Sequence, residues 1–197
     1  TSPVVSCNPI EDIRIDTVGI PFRCNNVKIA EDGEILVKGE NVMLGYWNKK
    51  AETDKVLVDG WLHTGDIGKF INGYLKITDR KKDILITPGG DNISPVKVET
   101  ALTNSNFIDQ SLVYGDNKPY LVALIVLNSE ININDKDLSD EIEKINKNLT
   151  KIEKIKKYFI IKEKFSIENG MMTPTLKLKR YKIISIYKNN FEELYKK

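Results

Sequence analysis

The 197-residue sequence holds one histidine and two cysteines. Cys7 and Cys24 stand apart, no CxxC or Cys/His cluster occurs, and His63 has no second histidine to work with. This excludes a zinc site of the usual ligand spacing and a Cys–His nucleophilic pair, and no other metal site is expected. With cysteine this sparse, a reducing cytosol is the simplest setting. No apolar run approaches the roughly 18–20 residues that span a bilayer. No basic segment followed by an apolar stretch opens the chain as a secretion signal would. Neither sign of charge dominates: 30 Lys and Arg stand against 28 Asp and Glu, a net charge of +2. That balance argues against nucleic acid or an anionic membrane as the main partner. Lysines gather at Lys151–Lys157 and Lys177–Lys182, which a solvated helix face would explain. The chain opens at Thr1 without an initiator methionine, as a fragment or a processed product would.

Apolar residues make up 41% of the sequence and charged residues 29%, which reads as a soluble globular protein with room for one or two domains. The expected fold class is α+β: a β-rich, barrel-like remnant over 1–80, followed by a small mobile α+β domain over 81–197. In the first part, short runs such as Val27–Ala30 and Glu34–Lys38 alternate with turn signals. Asp32-Gly33 and Asn72-Gly73 are the clearest hairpin signals, the second leading into Tyr74–Thr78. After Arg80 the texture changes. Ile84–Ile86 runs into a loop at Pro88-Gly89-Gly90, and Ser94-Pro95 predicts a capped helix carrying Val96, Val98, Ala101 and Leu102. Ser111–Tyr114 and Tyr120–Leu127 read as strands joined at Gly115-Asp116-Asn117. The spacing of Ile142, Ile145, Leu149, Ile152 and Ile155 predicts one helix over 139–157. A strand at 158–162 and a terminal helix over 179–195 complete the expectation.

Three segments carry polar and glycine residues that secondary structure does not require. They are Asp59–Gly68, with its Thr64-Gly65-Asp66 turn; Asp79–Asp83, continuing to Pro88–Pro95; and Asn169–Arg180. Each alone is a capped turn, a solvated turn or a basic loop. Taken together, Gly-Trp-Leu-His-Thr-Gly-Asp, Asp-Arg-Lys-Lys-Asp and Glu-Asn-Gly-x-x-Thr-Pro-Thr-x-Lys-Leu-Lys-Arg resemble the C-terminal part of the adenylate-forming superfamily, and within it the long-chain fatty acyl-CoA synthetases. Gly33-Glu34-Ile35, Lys38-Gly39 and Gly45-Tyr46 match between these motifs.

The resemblance implies ATP-dependent ligation of a long-chain fatty acid to CoA through an acyl-adenylate. Asp66 would accept hydrogen bonds from the ribose hydroxyls of ATP, a task suited to a fixed carboxylate, and Arg80 would join it there. Lys82 would be the hinge about which the C-terminal domain turns between half-reactions. Gly89 and Gly90 would line the pantetheine tunnel for CoA, although a plain turn explains both glycines nearly as well. Lys177 would be the catalytic lysine of adenylation, with Lys179 as second choice. Many superfamily members have glycine where Leu176 stands, and the long-chain group tolerates a bulkier residue there.

The phosphate loop and the Tyr-Gly-x-Thr-Glu segment of the family do not occur in the sequence. ATP, Mg²⁺ and CoA are therefore expected as substrates and metal of a longer enzyme, with the Mg²⁺ site outside this chain and the isolated chain inactive. Fatty acid, ATP and CoA are the expected partners, in a cytoplasmic setting that leaves peripheral membrane association open. Two other readings stand beside this one. One is another adenylate-former: a short-chain or aryl-CoA ligase, or an acyl-AMP ligase loading a carrier protein. The other is a non-catalytic binding module, which would have no use for the Lys177 ammonium.

Overall fold

Asn72 and Gly73 both adopt left-handed backbone, with φ of 50° and 85°, in the computed structural model, which describes residues 1–131 and 133–196. Two successive positive φ values make the tight turn whose twist matches that of paired strands. Here the turn joins two long strands of the first of two units, Thr1–Asp83 and Ile84–Lys197. In the first unit a small ribbon, β1 (Ser6–Cys7) with β2 (Ile20–Pro21), precedes β3 (Asn25–Ile29) and β4 (Glu34–Gly39). Helix α1 (Lys50–Val56), absent from the sequence expectation, then leads to β5 (Leu57–Val58), β6 (Trp61–Ile71) and β7 (Tyr74–Arg80). The last five strands form one curled antiparallel sheet of order β3-β4-β6-β5, with β7 on β6. Ile35, Val37 and Leu75 form its buried core. A single 3₁₀ turn, Lys81–Asp83, ends the unit.

The β6–β7 ladder starts in simple register from the turn, Ile71 opposite Tyr74 and Gly68 opposite Ile77. Continued unchanged, it would set Asp66 against Asp79. A bulge at Thr78 shifts the register, so that Ile67 faces Asp79 and Asp66 faces Arg80. A pair of like charges is thereby replaced by an opposite-charge pair across the strands.

The second unit begins with the ribbon β8 (Leu85–Ile86) and β9 (Asn92–Ile93), then α2 (Pro95–Thr103), β10 (Ile108–Tyr114) and β11 (Leu121–Leu127). It continues with α3 (Asp135–Lys147), β12 (Ile155–Ile161), α4 (Arg180–Ile186) and α5 (Lys188–Tyr195). Strand β11 is central, antiparallel to β10 and parallel to β12. Successive residues of a strand face opposite sides, so Leu121, Ala123 and Ile125 enter the core beneath α2 and α3. Val122, Leu124 and Val126 enter the other core, against Ile183 and Phe191 of α4 and α5. An unbroken apolar strand is what a sheet covered on both faces requires.

The Ser94 cap is as expected: its hydroxyl accepts the Lys97 amide N–H at 3.2 Å. The long helix over 139–157 is not. Helix α3 starts earlier, capped by the Asn134 side chain at the Asp137 amide, and stops at Lys147. The Asn146 side chain explains the stop, accepting the Ile155 N–H and donating to the Ile155 carbonyl, both at 2.9 Å. This bracket draws Ile155 into an extended strand. Leu149 and Ile155 still reach the same core as Ile142, so the apolar spacing marked burial there while misreading the backbone; Ile152, on the same spacing, is 41% exposed. The terminal helix is likewise two helices, breaking at Tyr187. Among the described residues no helix is long and apolar enough to cross a membrane.

Gly68 sits at the register shift. A Cβ there would lie 2.5 Å from the Lys76 carbonyl oxygen and 2.6 Å from Ile35 Cδ1. Gly68→Ala should therefore push β7 off β6 and lower stability by about 1–3 kcal/mol. Thermal unfolding of the 197-residue chain checks this, and an unchanged melting temperature would show that the two strands separate freely.

Candidate active site

One five-residue loop recurs at three charged positions. In Ala30–Glu34, Thr87–Asp91 and Thr173–Lys177, the first carbonyl accepts the N–H of the fourth residue at 2.9 Å. The first amide in turn donates to the fifth carbonyl at 2.8–2.9 Å. The fourth residue is left-handed each time: Gly33 at φ 84°, Gly90 at 88° and Leu176 at 58°. The fifth residues are Glu34, Asp91 and Lys177.

At the first loop, the buried Glu34 carboxylate collects three donors. Oε1 accepts the Gly65 N–H at 2.8 Å, and Oε2 lies 2.9 Å from both His63 Nδ1 and Lys81 Nζ. Burial pushes this carboxyl towards the neutral form, but the bonds from His63, Lys81 and Gly65 outweigh it and hold the pKa below the ordinary value of 4.5. Lys81 also pairs with Asp32 at 2.6 Å, and its pKa is raised by Asp32 first and then by Glu34. Beyond Gly65, the half-buried Asp66 receives Arg80 Nε on Oδ1 at 2.7 Å, with the Arg80 side chain 53% exposed. Asp79 turns inward; its Oδ1 accepts the Arg80 N–H, and its Oδ2 has no partner among the described residues. Lys82 is exposed in the 3₁₀ turn that closes the unit.

At the second loop, Gly89 borders a cavity of about 540 Å³ with Lys118, Tyr120, Lys151, Ile152 and Lys154. A Cβ on Gly90 would meet nothing within 4 Å, so the left-handed turn, rather than lack of space inside this unit, is what calls for glycine there.

At the third loop, Lys177 is exposed and forms no ion pair among the described residues, while its amide is held by Thr173 Oγ1 at 3.0 Å. Lys179 is half-buried at the start of α4. Next to it, Arg180 makes a two-pronged ion pair with Glu99 of α2, its Nη1 bonding to Oε1 at 2.8 Å and its Nη2 to Oε2. Glu99 Oε1 also accepts the Val113 N–H at 2.7 Å. This pair fastens the base of the Lys177 loop to the helix that follows the Gly89-Gly90 loop.

The structure thus brings Asp66 and Arg80 into contact within the first unit. It puts Gly89 and Gly90 on one loop of the second unit and Lys177 on another. Sequence reading missed Glu34, Lys81, Glu99 and Arg180. Glu99 could have been found, because a carboxylate in the apolar stripe of Pro95, Val98 and Leu102 demands a buried cation.

The profile described as AMP-binding enzyme C-terminal domain matches residues 82–197. The chain belongs to the AMP-binding enzymes. Over its full length the chain is 35% identical to long-chain-fatty-acid–CoA ligase FadD15 of Mycobacterium tuberculosis, covering 37% of that protein. It is 36% identical to long-chain-fatty-acid–CoA ligase 5 of Rattus norvegicus, with 90% of the chain and 31% of the relative aligned. It therefore spans about a third of the length of these curated relatives. The adenylation domain of a carboxylic acid reductase from Segniliparus rugosus, solved with AMP and a co-purified carboxylic acid, superposes with a TM-score of 0.78. That pair is 25% identical over 90% of this chain and 32% of the other.

Two outcomes are expected of this chain. Because the folded pKa of Glu34 is depressed, its contribution to stability is complete above the unfolded value of about 4.5 and is lost as pH falls through the folded value. The melting temperatures of wild type and Glu34→Gln should accordingly converge as pH drops below about 4.5, and a gap that stays constant would show that this charge does not titrate there. Leu176 is 67% exposed and strained by its left-handed backbone. Leu176→Gly should raise stability by up to about 1 kcal/mol, net of the extra freedom of glycine in the unfolded chain. Denaturant unfolding followed by circular dichroism measures the difference, and a loss of stability would mean that the leucine side chain outweighs its backbone.

Proposed function

We propose that this chain supplies ribose recognition and the adenylation lysine of an ATP-dependent acyl-CoA synthetase acting on long-chain fatty acids. The observation that carries the reading is the Asp66–Arg80 pair, set face to face by the Thr78 bulge and left accessible at the edge of the sheet. Asp66 keeps one oxygen and further lone pairs for two ribose hydroxyls while Arg80 holds the other oxygen. A carboxylate held by an ion pair in this way needs little reorganisation to accept the sugar. The names of the curated relatives support the fatty acid and CoA as substrates, and the AMP-bound adenylation domain supports the nucleotide.

In the first half-reaction a carboxylate oxygen bonds to the α-phosphorus of ATP and pyrophosphate leaves. Lys177, which forms no ion pair among the described residues and stands on a pinned loop, offers its ammonium to the oxygens that gain charge, without covalent chemistry. In the second, the CoA thiol attacks the acyl carbonyl and AMP leaves. Lys82, exposed at the end of the first unit, is the proposed hinge between the two arrangements, and Gly89 borders the proposed pantetheine path. Among the described residues no group of three or more His, Cys, Asp or Glu side chains is placed to hold a metal ion.

In the full-length enzyme, Lys177→Ala should slow acyl-AMP formation by a factor on the order of 10²–10³, while transfer from supplied acyl-AMP to CoA is largely spared. Pyrophosphate release and thioester appearance report the two rates separately. If Lys179→Ala abolishes adenylation and Lys177→Ala does not, the register is wrong by two residues. A carrier-protein thiol working where CoA fails would identify a carrier-loading ligase instead.

A further inference from the structure

Glu34 is 3% exposed, and two of its three donors flank the residues proposed to bind ribose. Gly65 immediately precedes Asp66, and Lys81 immediately follows Arg80. At the Gly65 turn no atom of the described residues lies within 4 Å of where a Cβ would be, and φ is 71°. Three hydrogen bonds brace it. Glu34 Oε1 takes the Gly65 N–H at 2.8 Å, Thr64 Oγ1 donates to the Ile35 carbonyl at 2.7 Å, and the Asp66 N–H reaches back to Thr64 Oγ1 at 3.1 Å. The first two of these bonds tie the turn to the first two residues of β4, and the third braces Asp66 on Thr64. On the other strand, Lys81 is drawn to Asp32 and Glu34 of the same hairpin.

We propose that Glu34 is a positioning residue for nucleotide binding: one buried carboxylate fixes both the turn behind Asp66 and the residue after Arg80, so that the acceptor pair is set before the ribose arrives. The proposal rests on the ribose-binding reading of Asp66. Its physical content is that Glu34 has no contact with the nucleotide and works through the Gly65 amide and the Lys81 ammonium. A buried anion of this kind is retained only if its donors are worth more than its lost hydration, and here each donor belongs to a segment whose placement the site needs.

The test is a double-variant cycle on AMP affinity, measured by calorimetry in the full-length protein, with melting temperatures confirming the fold. Asp66→Ala should weaken AMP binding, and Glu34→Ala should weaken it about tenfold or more, as loss of a hydrogen bond to a charged group does. Glu34→Gln keeps an acceptor for Gly65 and should recover most of that loss. The Glu34→Ala/Asp66→Ala double variant should bind no more weakly than Asp66→Ala alone, because Glu34 acts through Asp66. If Glu34→Ala does not fold, Glu34→Asp, which keeps the charge but shortens the reach to Gly65, runs the same cycle with the same expectation. Additive losses, or unchanged AMP affinity in folded Glu34→Ala (or, in its place, Glu34→Asp) while Asp66→Ala is impaired, overturn the positioning role. Unchanged affinity in Asp66→Ala overturns the ribose reading itself.

Discussion

The charged edge of the first unit depends on one residue too many in β7. Thr78 is the extra residue at the bulge, and its hydroxyl donates to the Ile67 carbonyl at 3.2 Å to help seat it. Without the shift, two carboxylates would oppose each other at the open end of the hairpin, and like charges there are destabilising. With it, one carboxylate turns inward and the other meets an arginine. The inward one keeps a bond to the Arg80 amide, so the two aspartates end with different environments on adjacent pairs of one ladder. A bulge beside a functional residue is a common way to re-aim a side chain.

In the second unit the corresponding constraint is burial on both sides of β11. Helices must cover each face, and the chain meets this by placing α2 and α3 on one side and α4 and α5 on the other. The Arg180–Glu99 pair joins the first residue of α4 to the middle of α2, with side chains 16% and 11% exposed. A two-pronged, hydrogen-bonded pair in that position fixes direction as well as distance.

Most of the architecture was legible from local signals. Asn72-Gly73, Ser94-Pro95 and the alternation in the early strands name their turns, caps and faces because each depends on two to five neighbouring residues. The failures share one cause. The end of α3 is decided by Asn146 reaching Ile155, and the placement of Gly65 by Glu34, a residue 31 positions earlier in the sequence. Neither a 3.6-residue period nor a turn motif contains that information. The proposed roles of Asp66, Arg80 and Lys177 came from resemblance. A buried Glu34 reads as one more surface charge until its donors are seen, whereas Glu99 shows itself only by its place in the apolar stripe of α2.

The loop at Thr173–Lys177 has a consequence for how Lys177 searches. Its amide and its carbonyl are both tied to Thr173, so within the second unit its backbone is a fixed post from which the side-chain torsions swing the ammonium. A charge on a free loop would spread its time over a large volume. A charge swinging from a fixed post visits a small one, and so offers a higher effective local concentration to any anion brought within its reach.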